Sequence, residues 1–369
     1  MRRITSTLLL LSALAGTPLL AAADPRYAVT TVAGADSYAY DINNLGQVVG
    51  AMAAGADTHA FVWSGGALTD IGLQFAGSSD AAAINDHGQV VGTGGAGGYL
   101  YSGGSVTAIP RDGSGAYGIN NGGMVVGEMW VATPEGDMRR HGYSYLDGTV
   151  TDLGTLPIGD DSRAFAVNSA GDIVGAAASV VNGAPNWPND PFLYHNGVMT
   201  DLGTLGGIWS GATAINDLGQ IVGYAGMPFD PDTGNLYPSS AFLYDGGVLH
   251  NLGSLAPGAD SGARDINNLG QIVGFALLDG MSRAFLYEHG AMVDLNALID
   301  PASGWVVEDA AAINDLGQIA ARACKGGVCQ AVRLDLVPAV PEPPMAALLL
   351  AGVAAMRVGR ARRRRRPLR

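Results

Sequence analysis

Short apolar runs recur along the chain, each four to six residues long and bounded by glycine, asparagine or aspartate. One stretch places such runs at Ala212–Asn216, Gln220–Ala225, Ala241–Tyr244 and Val248–Leu252. Runs of this length that are rich in Ile, Val, Phe and Tyr are typical of β-strands. The short turns between them favour antiparallel hairpins, so this stretch predicts four paired strands.

The four-strand unit repeats seven times. Its most regular part is Ile-Asn-Asn/Asp-x-Gly-Gln-x-Val-Gly, first seen at Ile42–Gly50, and successive copies start 42, 35, 48, 48, 51 and 47 residues apart. Similarity at such a period indicates propeller blades or solenoid coils. Asparagine and glycine at these spacings predict a tight turn rather than a catalytic group. The first asparagines of the copies are Asn43, Asn85, Asn120, Asn168, Asn216, Asn267 and Asn314.

The two ends of the repeat region complement each other. The last unit offers only three strands, at Ala311–Asn314, Gln318–Ala323 and Gln330–Leu334, whereas the segment Tyr27–Val32 adds one strand before the first unit. That strand can complete the last blade and close a ring, while an open solenoid would need polar caps. We therefore predict an all-β, seven-bladed propeller of four-stranded antiparallel blades over residues 24–337.

Residues 1–23 read as a targeting segment. A basic start at Arg2 and Arg3 precedes an apolar run, and the small residues Ala21 and Ala23 stand just before Asp24. This order predicts a secretory signal peptide cleaved before Asp24. A buried or membrane-spanning helix is the alternative, but Pro18 interrupts the run, which is short for a span.

Residues 338–369 read as a second targeting segment. They contain Val340-Pro341-Glu342-Pro343, then an apolar run at Met345–Met356, then an arginine cluster. The run is shorter than the roughly 20 residues that span a bilayer, so it predicts a weak anchor whose basic end faces the cytoplasm. An ordinary short tail anchor after a proline-rich linker is the alternative.

This tail resembles the PEP-CTERM sorting signal of Gram-negative bacteria. The resemblance implies signal peptidase and an exosortase-type membrane protease as processing partners. It also implies transient anchoring across the inner membrane, removal of the tail, and a final place at the cell surface or outside the cell.

The repeats resemble the HAF family of extracellular repeats. His59-Ala60-Phe61 is the literal motif, Ala241–Tyr244 and Ala284–Tyr287 are variants, and Asp201–Gly207 matches the second hallmark. The resemblance spans about Tyr27 to Leu336. It implies an exported β-repeat protein and brings no established catalytic residues.

Charge limits the partners of the repeat region. The chain carries a formal charge of −13, but the two termini hold ten of its 20 basic residues and only one of its 33 acidic residues. The region between them therefore has a charge of about −22. Such a surface repels nucleic acid and anionic lipid, so we expect no nucleic-acid partner and membrane contact only through the tail.

Cys324 and Cys329 are five residues apart in the last unit. In an exported chain, two cysteines at a hairpin-compatible distance predict a disulfide, with idle thiols or a metal pair as alternatives.

Motifs for catalysis and cofactors are weak. The sequence has no H-E-x-x-H, P-loop or G-x-S-x-G motif, and we expect neither a cofactor nor a bound metal. Asp230 and Asp232 hint at a calcium loop, but the third acid and the distal Glu of the full signature are missing.

Three consecutive units carry long insertions between their second and third strands, at Glu128–His141, Ala176–Asp190 and Tyr224–Ser240. Insertions on one face of a repeat protein often mark a binding face. Aromatic side chains there could stack on sugars while arginines bond acidic groups; the alternative is that they pack their own loops. The residues of this predicted binding rim are Trp130, Arg139, Arg140, Trp187, Trp209, Tyr237 and Trp305.

These observations favour an exported, non-enzymatic binding module of the cell surface or extracellular matrix, for which an exopolysaccharide is a fitting partner. One alternative is a polysaccharide hydrolase or lyase, with Asp160, Asp161, Asp260 and Glu308 as the candidate acids. The other is a structural surface protein without a specific ligand.

Overall fold

The computed structural model describes residues 26–337, apart from positions 96, 111–113, 135, 180–188 and 230–237. This part of the chain forms 28 β-strands, arranged in seven four-stranded antiparallel sheets. Three short 3-10 segments lie between blades, at Gly72–Gln74, Leu295–Ala297 and Pro301–Ser303. The predicted seven-bladed propeller is confirmed.

Blades 1 to 4 each use four consecutive strands. Blade 1 contains β2 (Ser37–Ile42), β3 (Val48–Ala54), β4 (Asp57–Ser64) and β5 (Ala67–Asp70). Blade 2 contains β6 (Ser79–Ile84), β7 (Val90–Gly94), β8 (Gly97–Ser102) and β9 (Ser105–Ala108). Blade 3 contains β10 (Gly115–Ile119), β11 (Val125–Ala132), β12 (Met138–Leu146) and β13 (Thr149–Asp152). Blade 4 contains β14 (Ser162–Val167), β15 (Ile173–Ala178), β16 (Asn189–His195) and β17 (Val198–Asp201).

Blade 7 differs because it draws on both ends of the chain. Blade 5 contains β18 (Gly211–Ile215), β19 (Ile221–Gly226), β20 (Ser239–Asp245) and β21 (Val248–Gly253). Blade 6 contains β22 (Ser261–Ile266), β23 (Ile272–Leu278), β24 (Met281–Glu288) and β25 (Ala291–Asp294). Blade 7 contains β26 (Val306–Ile313), β27 (Ile319–Lys325), β28 (Val328–Leu336) and β1 (Tyr27–Ala35).

Strand β1 is the outermost strand of blade 7, as predicted from the chain ends. It pairs antiparallel with β28, with Tyr27 opposite Leu336 and Thr31 opposite Val332. The Tyr27 ring is buried in the core of this blade. Arg26 forms an ion pair with Glu288 of blade 6, so the first described residue also joins two blades.

The first strand of each blade lines the axis, and its register with the second strand shifts once in blades 1 to 6 and twice in blade 7. The shift lies between Ala39 and Asp41 in blade 1 and between Ala212 and Ala214 in blade 5. Such a bulge pushes a carbonyl towards the second strand. A Cβ on Gly50 would lie 1.9 Å from the Tyr38 carbonyl oxygen. The glycine that ends the repeat motif in blades 1 to 6 is therefore required by this close approach, whereas blade 7 has Ala321 at this position.

The asparagines of the repeat motif form a closed ring of hydrogen bonds around the axis, here called the Asn ring. Each side-chain amide donates to the backbone carbonyl of the corresponding asparagine in the next blade, at 2.9 to 3.3 Å. The last bond, from Asn314 to Asn43, closes the circle between blades 7 and 1. One residue type at one repeat position thus connects all seven blades.

Each of these asparagines also builds its own turn. The Asn216 side-chain oxygen accepts hydrogen bonds from the backbone N–H groups of Leu218 and Gln220, at 3.1 and 2.9 Å. Its amide also donates to the Gln220 side chain at 2.8 Å. Since Asn216 is buried, these groups would lack partners without its side chain.

Buried serines tie the blades together at the other end of the first strands. The Ser162 hydroxyl, for example, accepts a hydrogen bond from the Gly142 N–H of the preceding blade at 2.8 Å. Serines with the same role in neighbouring blades are Ser37, Ser79, Ser114 and Ser261. The first strands of blades 1 to 6 therefore share the pattern Ser-x-Ala-x-x-Ile-Asn, with Val167 in place of Ile in blade 4, and blade 7 has Glu308 at the serine position. Five of these strands are fixed at both ends by contacts between blades.

One predicted insertion is wrong. Most of Glu128–His141 belongs to strands β11 and β12, which pair continuously from Val125 opposite Tyr145 to Ala132 opposite Met138. Extended backbone hydrogen bonding continues through these polar residues, so the segment lengthens a hairpin instead of forming a long loop.

We predict that Asn216→Ala lowers the free energy of unfolding by about 3 kcal/mol, because it removes four hydrogen bonds and leaves buried backbone groups unpaired. Leu218→Ala in the same turn is the matched control. Its side chain is 70% exposed, so we expect a change within about 0.5 kcal/mol. Chemical denaturation measures both, and equal effects of the two substitutions would contradict the role of the ring.

Candidate functional site

A cavity of about 800 Å³ opens on the axis at the face opposite the Asn ring. We call it the axial cavity and name this face, where the chain crosses between blades, the loop face. First strands of six blades and second strands of two contribute to its wall. Its lining residues are Tyr38, Ala39, Tyr40, Tyr117, Phe165, Thr213, Tyr224, Arg264, Ser282, Glu308, Asp309, Ala311 and Arg322.

The variable positions of Ser-x-Ala-x-x-Ile-Asn place these side chains at the axis. The third residue after the serine position is large in four blades, as Tyr40, Tyr117, Phe165 and Arg264. The corresponding residues of the other blades are small: Ala82, Thr213 and Ala311. Because this position holds large side chains in some blades and small ones in others, space remains at the axis beside aromatic rings, and this space is the axial cavity.

Aromatic rings dominate two sides of the axial cavity. Tyr38 and Tyr40 lie on one strand with their ring centroids 6.3 Å apart, and about 40% of each side chain is exposed. Tyr117 and Phe165 face each other across blades 3 and 4 at 6.0 Å. Exposed tyrosines combine an apolar face with a hydroxyl, which suits a ligand that is both ringed and polar.

Glycines in the first strands make room for aromatic rings from the second strands. A Cβ on Gly211 would lie 3.1 Å from the Tyr224 hydroxyl, and one on Gly262 would lie 2.9 Å from the Phe275 ring. These rings therefore pass over the first strand towards the axis.

Two ion pairs occupy the wall formed by blades 6 and 7. Arg322 donates to Glu308 at 2.9 Å, and Arg264 donates to both carboxylate oxygens of Asp309 at 3.1 and 3.4 Å. The Arg322 guanidinium also stacks over the Tyr38 ring, 4.7 Å from its centroid. Charged and aromatic walls thus meet at Tyr38.

A polar network leads from the axial cavity across blades 3 and 4. Glu128 pairs with Arg163 at 3.2 Å and lies 3.9 Å from Arg140, which also pairs with Asp161 at 3.3 Å. Burial and the nearby Glu128 carboxylate raise the pKa of Tyr117. The Tyr117 hydroxyl therefore stays protonated and available as a donor.

A second cavity on the loop face, the rim cavity, has a volume of about 360 Å³. It contains three predicted rim residues, Arg139, Arg140 and Trp209, together with Asp160 and Asp161. Arg139 pairs with Asp160 at 3.3 Å.

Two other rim tryptophans lie outside the rim cavity. Trp130 is 45% exposed and lies under the Arg140 guanidinium at 5.6 Å. Trp305 lies apart from this group, packed against the core of blade 7 and under the Lys325 ammonium. Trp187 and Tyr237 lie outside the described residues, as do Asp230 and Asp232. The rim residues of the described chain therefore form one cluster at blades 3 to 5 and one separate tryptophan.

The candidate catalytic acids do not converge. Glu308 lines the axial cavity, whereas Asp160 and Asp161 line the rim cavity. Asp260 accepts a hydrogen bond from the Ser239 N–H between blades 5 and 6. Glu308, Asp160 and Asp161 are each paired with an arginine.

Two aspartates lie deeper on the axis, in the layer just before the Asn ring. Asp41 accepts hydrogen bonds at 2.7 Å from the N–H groups of Ile42 and of Ile84 in the next blade. Asp265 bridges Ile266 and Ile313 in the same way at 2.8 Å. Burial, and for Asp41 the charge of Asp265, raise the pKa of Asp41 to about 8 and that of Asp265 to about 6.

The opposite mouth has a smaller cavity of about 210 Å³, lined by the Asn ring and the residues beside it. It shares no lining residue with the axial cavity. Its asparagine side-chain amides already donate to the backbone carbonyls of the next blade, so the axial cavity has the stronger features of a ligand site.

Cys324 and Cys329 stand directly opposite each other on β27 and β28 and are joined by a disulfide with an S–S distance of 1.95 Å. Glu308 is within 4.8 Å of both sulfur atoms. Because the two sulfurs are bonded to each other, this group is not a metal site in the oxidised protein.

Sequence analysis missed the axial aromatic residues. Tyr38, Tyr40, Tyr117 and Phe165 occupy the two variable positions of the repeat that lie on either side of the conserved alanine, where other blades have Ala, Gly, Thr, Asp or Arg. Alignment of the seven first strands, followed by a search for large residues at those positions, would have identified them.

The model of a family described as a protein of unknown function (DUF3466) matches residues 157–333, from blade 4 to blade 7. No curated protein matches the chain. Within the described part of the chain, no helix has the length and apolarity needed to cross a membrane, and the predicted tail helix lies outside this part.

Two solved structures resemble the fold. One is the β-propeller domain of the Trilobed protease from Pyrococcus furiosus, described as having an open velcro topology. Its TM-score is 0.51 at 12% identity, with 70% of this chain and 81% of that chain covered. The other is the acylaminoacyl peptidase of Pyrococcus horikoshii, with a TM-score of 0.50 at 11% identity, covering 78% of this chain. This chain spans about half (49%) of that peptidase's length. At these identities the likeness shows the propeller fold alone.

We predict that stability falls as pH rises through the raised pKa values of the two axial aspartates. Both groups are protonated more readily in the folded chain than in the unfolded chain, so folding takes up protons between their unfolded and folded pKa values. Each such proton contributes a slope of up to about 1.4 kcal/mol per pH unit. Thermal denaturation should show this slope from Asp41 alone between pH 6 and 8, and a steeper slope from Asp41 and Asp265 together between pH 4 and 6.

Asp41→Asn should flatten the dependence between pH 6 and 8, and Asp265→Asn should reduce the slope between pH 4 and 6 to the part that Asp41 contributes. Asp279→Asn, at an exposed turn, is the control and should leave the profile unchanged. An unaltered slope in Asp41→Asn would show that its carboxyl group is not the source.

Proposed function

We propose that this protein is an exported, non-enzymatic β-propeller that binds polysaccharide through its axial cavity, as a module of the cell surface or extracellular matrix. The observation that carries the proposal is the combination of exposed tyrosines with arginine–carboxylate pairs in one cavity of about 800 Å³. A volume of this size lies within the range of small-molecule sites.

The chemistry of the wall supports a sugar. The Tyr38 and Tyr40 rings are partly exposed and offer apolar faces on which the C–H face of a pyranose can stack. Arg264 and Arg322 add donors beside the acceptors Glu308 and Asp309. A glycan presents the same mixture of apolar ring faces and hydroxyl groups.

The hydrogen bonds of the acidic residues in the axial cavity favour a role in binding over a role in catalysis. Glycoside hydrolysis uses two carboxyl groups, one of them held protonated as the general acid. In the axial cavity, Glu308 and Asp309 each form hydrogen bonds with an arginine of the protein, so neither carboxyl group is left free to act as the general acid. The proposed function therefore needs neither a cofactor nor a metal.

Export and surface placement belong to the same proposal. They rest on the predicted signal peptide at residues 1–23 and the predicted PEP-CTERM-like tail at residues 338–369, both outside the described residues. Strands β1 and β28 pair within blade 7, so cleavage of the segments before β1 and after β28 would leave this blade closed.

We predict that Tyr38→Ala combined with Tyr40→Ala weakens polysaccharide binding at least about tenfold, because each lost stacking contact is worth about 0.5–1.5 kcal/mol beyond its buried area. Affinity electrophoresis in gels containing candidate exopolysaccharides measures this loss. Both side chains are partly exposed, so the variant should remain folded, which circular dichroism checks.

Trp130→Ala is the matched aromatic control, since Trp130 is exposed on the loop face outside the axial cavity. We expect it to bind nearly as well as the wild type. Loss of binding in Trp130→Ala with retention in the tyrosine variant would move the site to the predicted rim.

We also predict that an epitope placed after Arg369 separates from the propeller in cells that contain an exosortase-type protease. Glu342→Ala, which changes the predicted sorting motif, should keep the epitope on the full-length chain. Immunoblotting distinguishes the two forms, and an uncut wild-type tail in such cells would rule out this processing route.

A further inference from the structure

The arginines around the axial cavity already hold carboxylate partners. Arg264 uses its Nε and Nη2 atoms on Asp309, and Arg322 uses Nη1 on Glu308. At the neighbouring wall, Arg163 uses Nε on Glu128 at 3.2 Å. The cavity therefore presents arginine–carboxylate pairs instead of unpaired positive charges.

Stacking fixes the orientation of two of these pairs. The Arg322 guanidinium lies over the Tyr38 ring at 4.7 Å, and the Arg264 guanidinium lies over the Phe275 ring at 5.0 Å. Glu308 and Asp309 both line the axial cavity, so both pairs belong to its wall. An arginine held by both a carboxylate and an aromatic ring is not free to turn towards an incoming anion.

Each pair still has hydrogen-bonding capacity. A guanidinium has five N–H donors and a carboxylate about four lone-pair sites, and the bonds above use only a few of them. Donors and acceptors thus stand next to each other on a surface with little net charge. A hydroxyl group both donates and accepts, so adjacent hydroxyls on a sugar ring match such a surface.

An acidic sugar does not match this surface. Its carboxylate could accept from the arginines only by competing with Glu308 and Asp309, and it would lie beside their negative charges. The repeat region as a whole carries a charge of about −22, which repels an approaching polyanion.

We propose that the axial cavity selects uncharged, hydroxyl-rich sugars and discriminates against uronic acids. This inference rests on the proposed function and names its ligand class. It differs from the expectation that arginines of the binding face bond acidic groups of the ligand, because Arg264 and Arg322 already bond carboxylates of the protein itself.

The test compares hexasaccharides in matched pairs that differ only at C6: glucose with glucuronic acid, galactose with galacturonic acid, and mannose with mannuronic acid. Isothermal titration calorimetry with the folded propeller measures each affinity. We expect at least one neutral oligosaccharide to bind at least about ten times more tightly than its acidic counterpart. Its affinity should change little between low and moderate salt.

The combined variant Glu308→Gln with Asp309→Asn tests the cause. Both changes keep the side-chain size but leave Arg264 and Arg322 without charged partners. Affinity for the acidic member of the pair should then rise at least about tenfold and become salt-sensitive. Asp147→Asn with Asp279→Asn, at two exposed turns, changes the net charge equally and should leave the selectivity unchanged.

The outcomes separate the two proposals. A wild-type protein that binds the acidic sugars as tightly as the neutral ones overturns the selectivity and leaves polysaccharide binding standing. An equal gain in the control variant would assign selectivity to overall charge and overturn the role of the pairs. Absence of binding to all six sugars would overturn the proposed function, and the selectivity with it.

Discussion

The Asn ring is the constraint on which the rest of the structure depends. Seven side-chain amides donate across seven blade junctions, and the same side chains hold their own turns. Each asparagine is buried, so its polar atoms are costly to leave unpaired. The blades can therefore meet only at the spacing and in the register that satisfy the ring, which explains why repeats of unequal length give similar blades.

The ring leaves the rest of each first strand free to vary. The serine and asparagine ends of Ser-x-Ala-x-x-Ile-Asn hold the strand, and the alanine and isoleucine pack between blades. The variable positions point at the axis, where Tyr40, Tyr117 and Arg264 can differ between blades without disturbing a junction. A site built there is rigid because its scaffold is fixed at both ends.

The sequence predicted much of the fold and little of the site, for a physical reason. Asparagine and glycine act through local turn and bulge geometry, so the structural roles of Asn216 and Gly223 can be predicted from the sequence of their own repeat. The axial cavity combines single residues from different blades, and nothing near Tyr40 in sequence shows that Phe165 or Arg322 shares its layer. The hairpin at Glu128–His141 was misread because its strands continue through polar residues. Likewise, Trp305 was placed on the binding rim although it packs on the core of blade 7.

The pairing of β1 with β28 has a consequence for how the molecule comes into being. These two strands are about 300 residues apart in the sequence, so β1 leaves the ribosome long before β28 has been synthesised. Until then β1 is an unpaired edge, a surface prone to join other chains. The ring can close only after the last blade has emerged. Newly made chains thus pass through a long interval as an open arc whose last blade is incomplete.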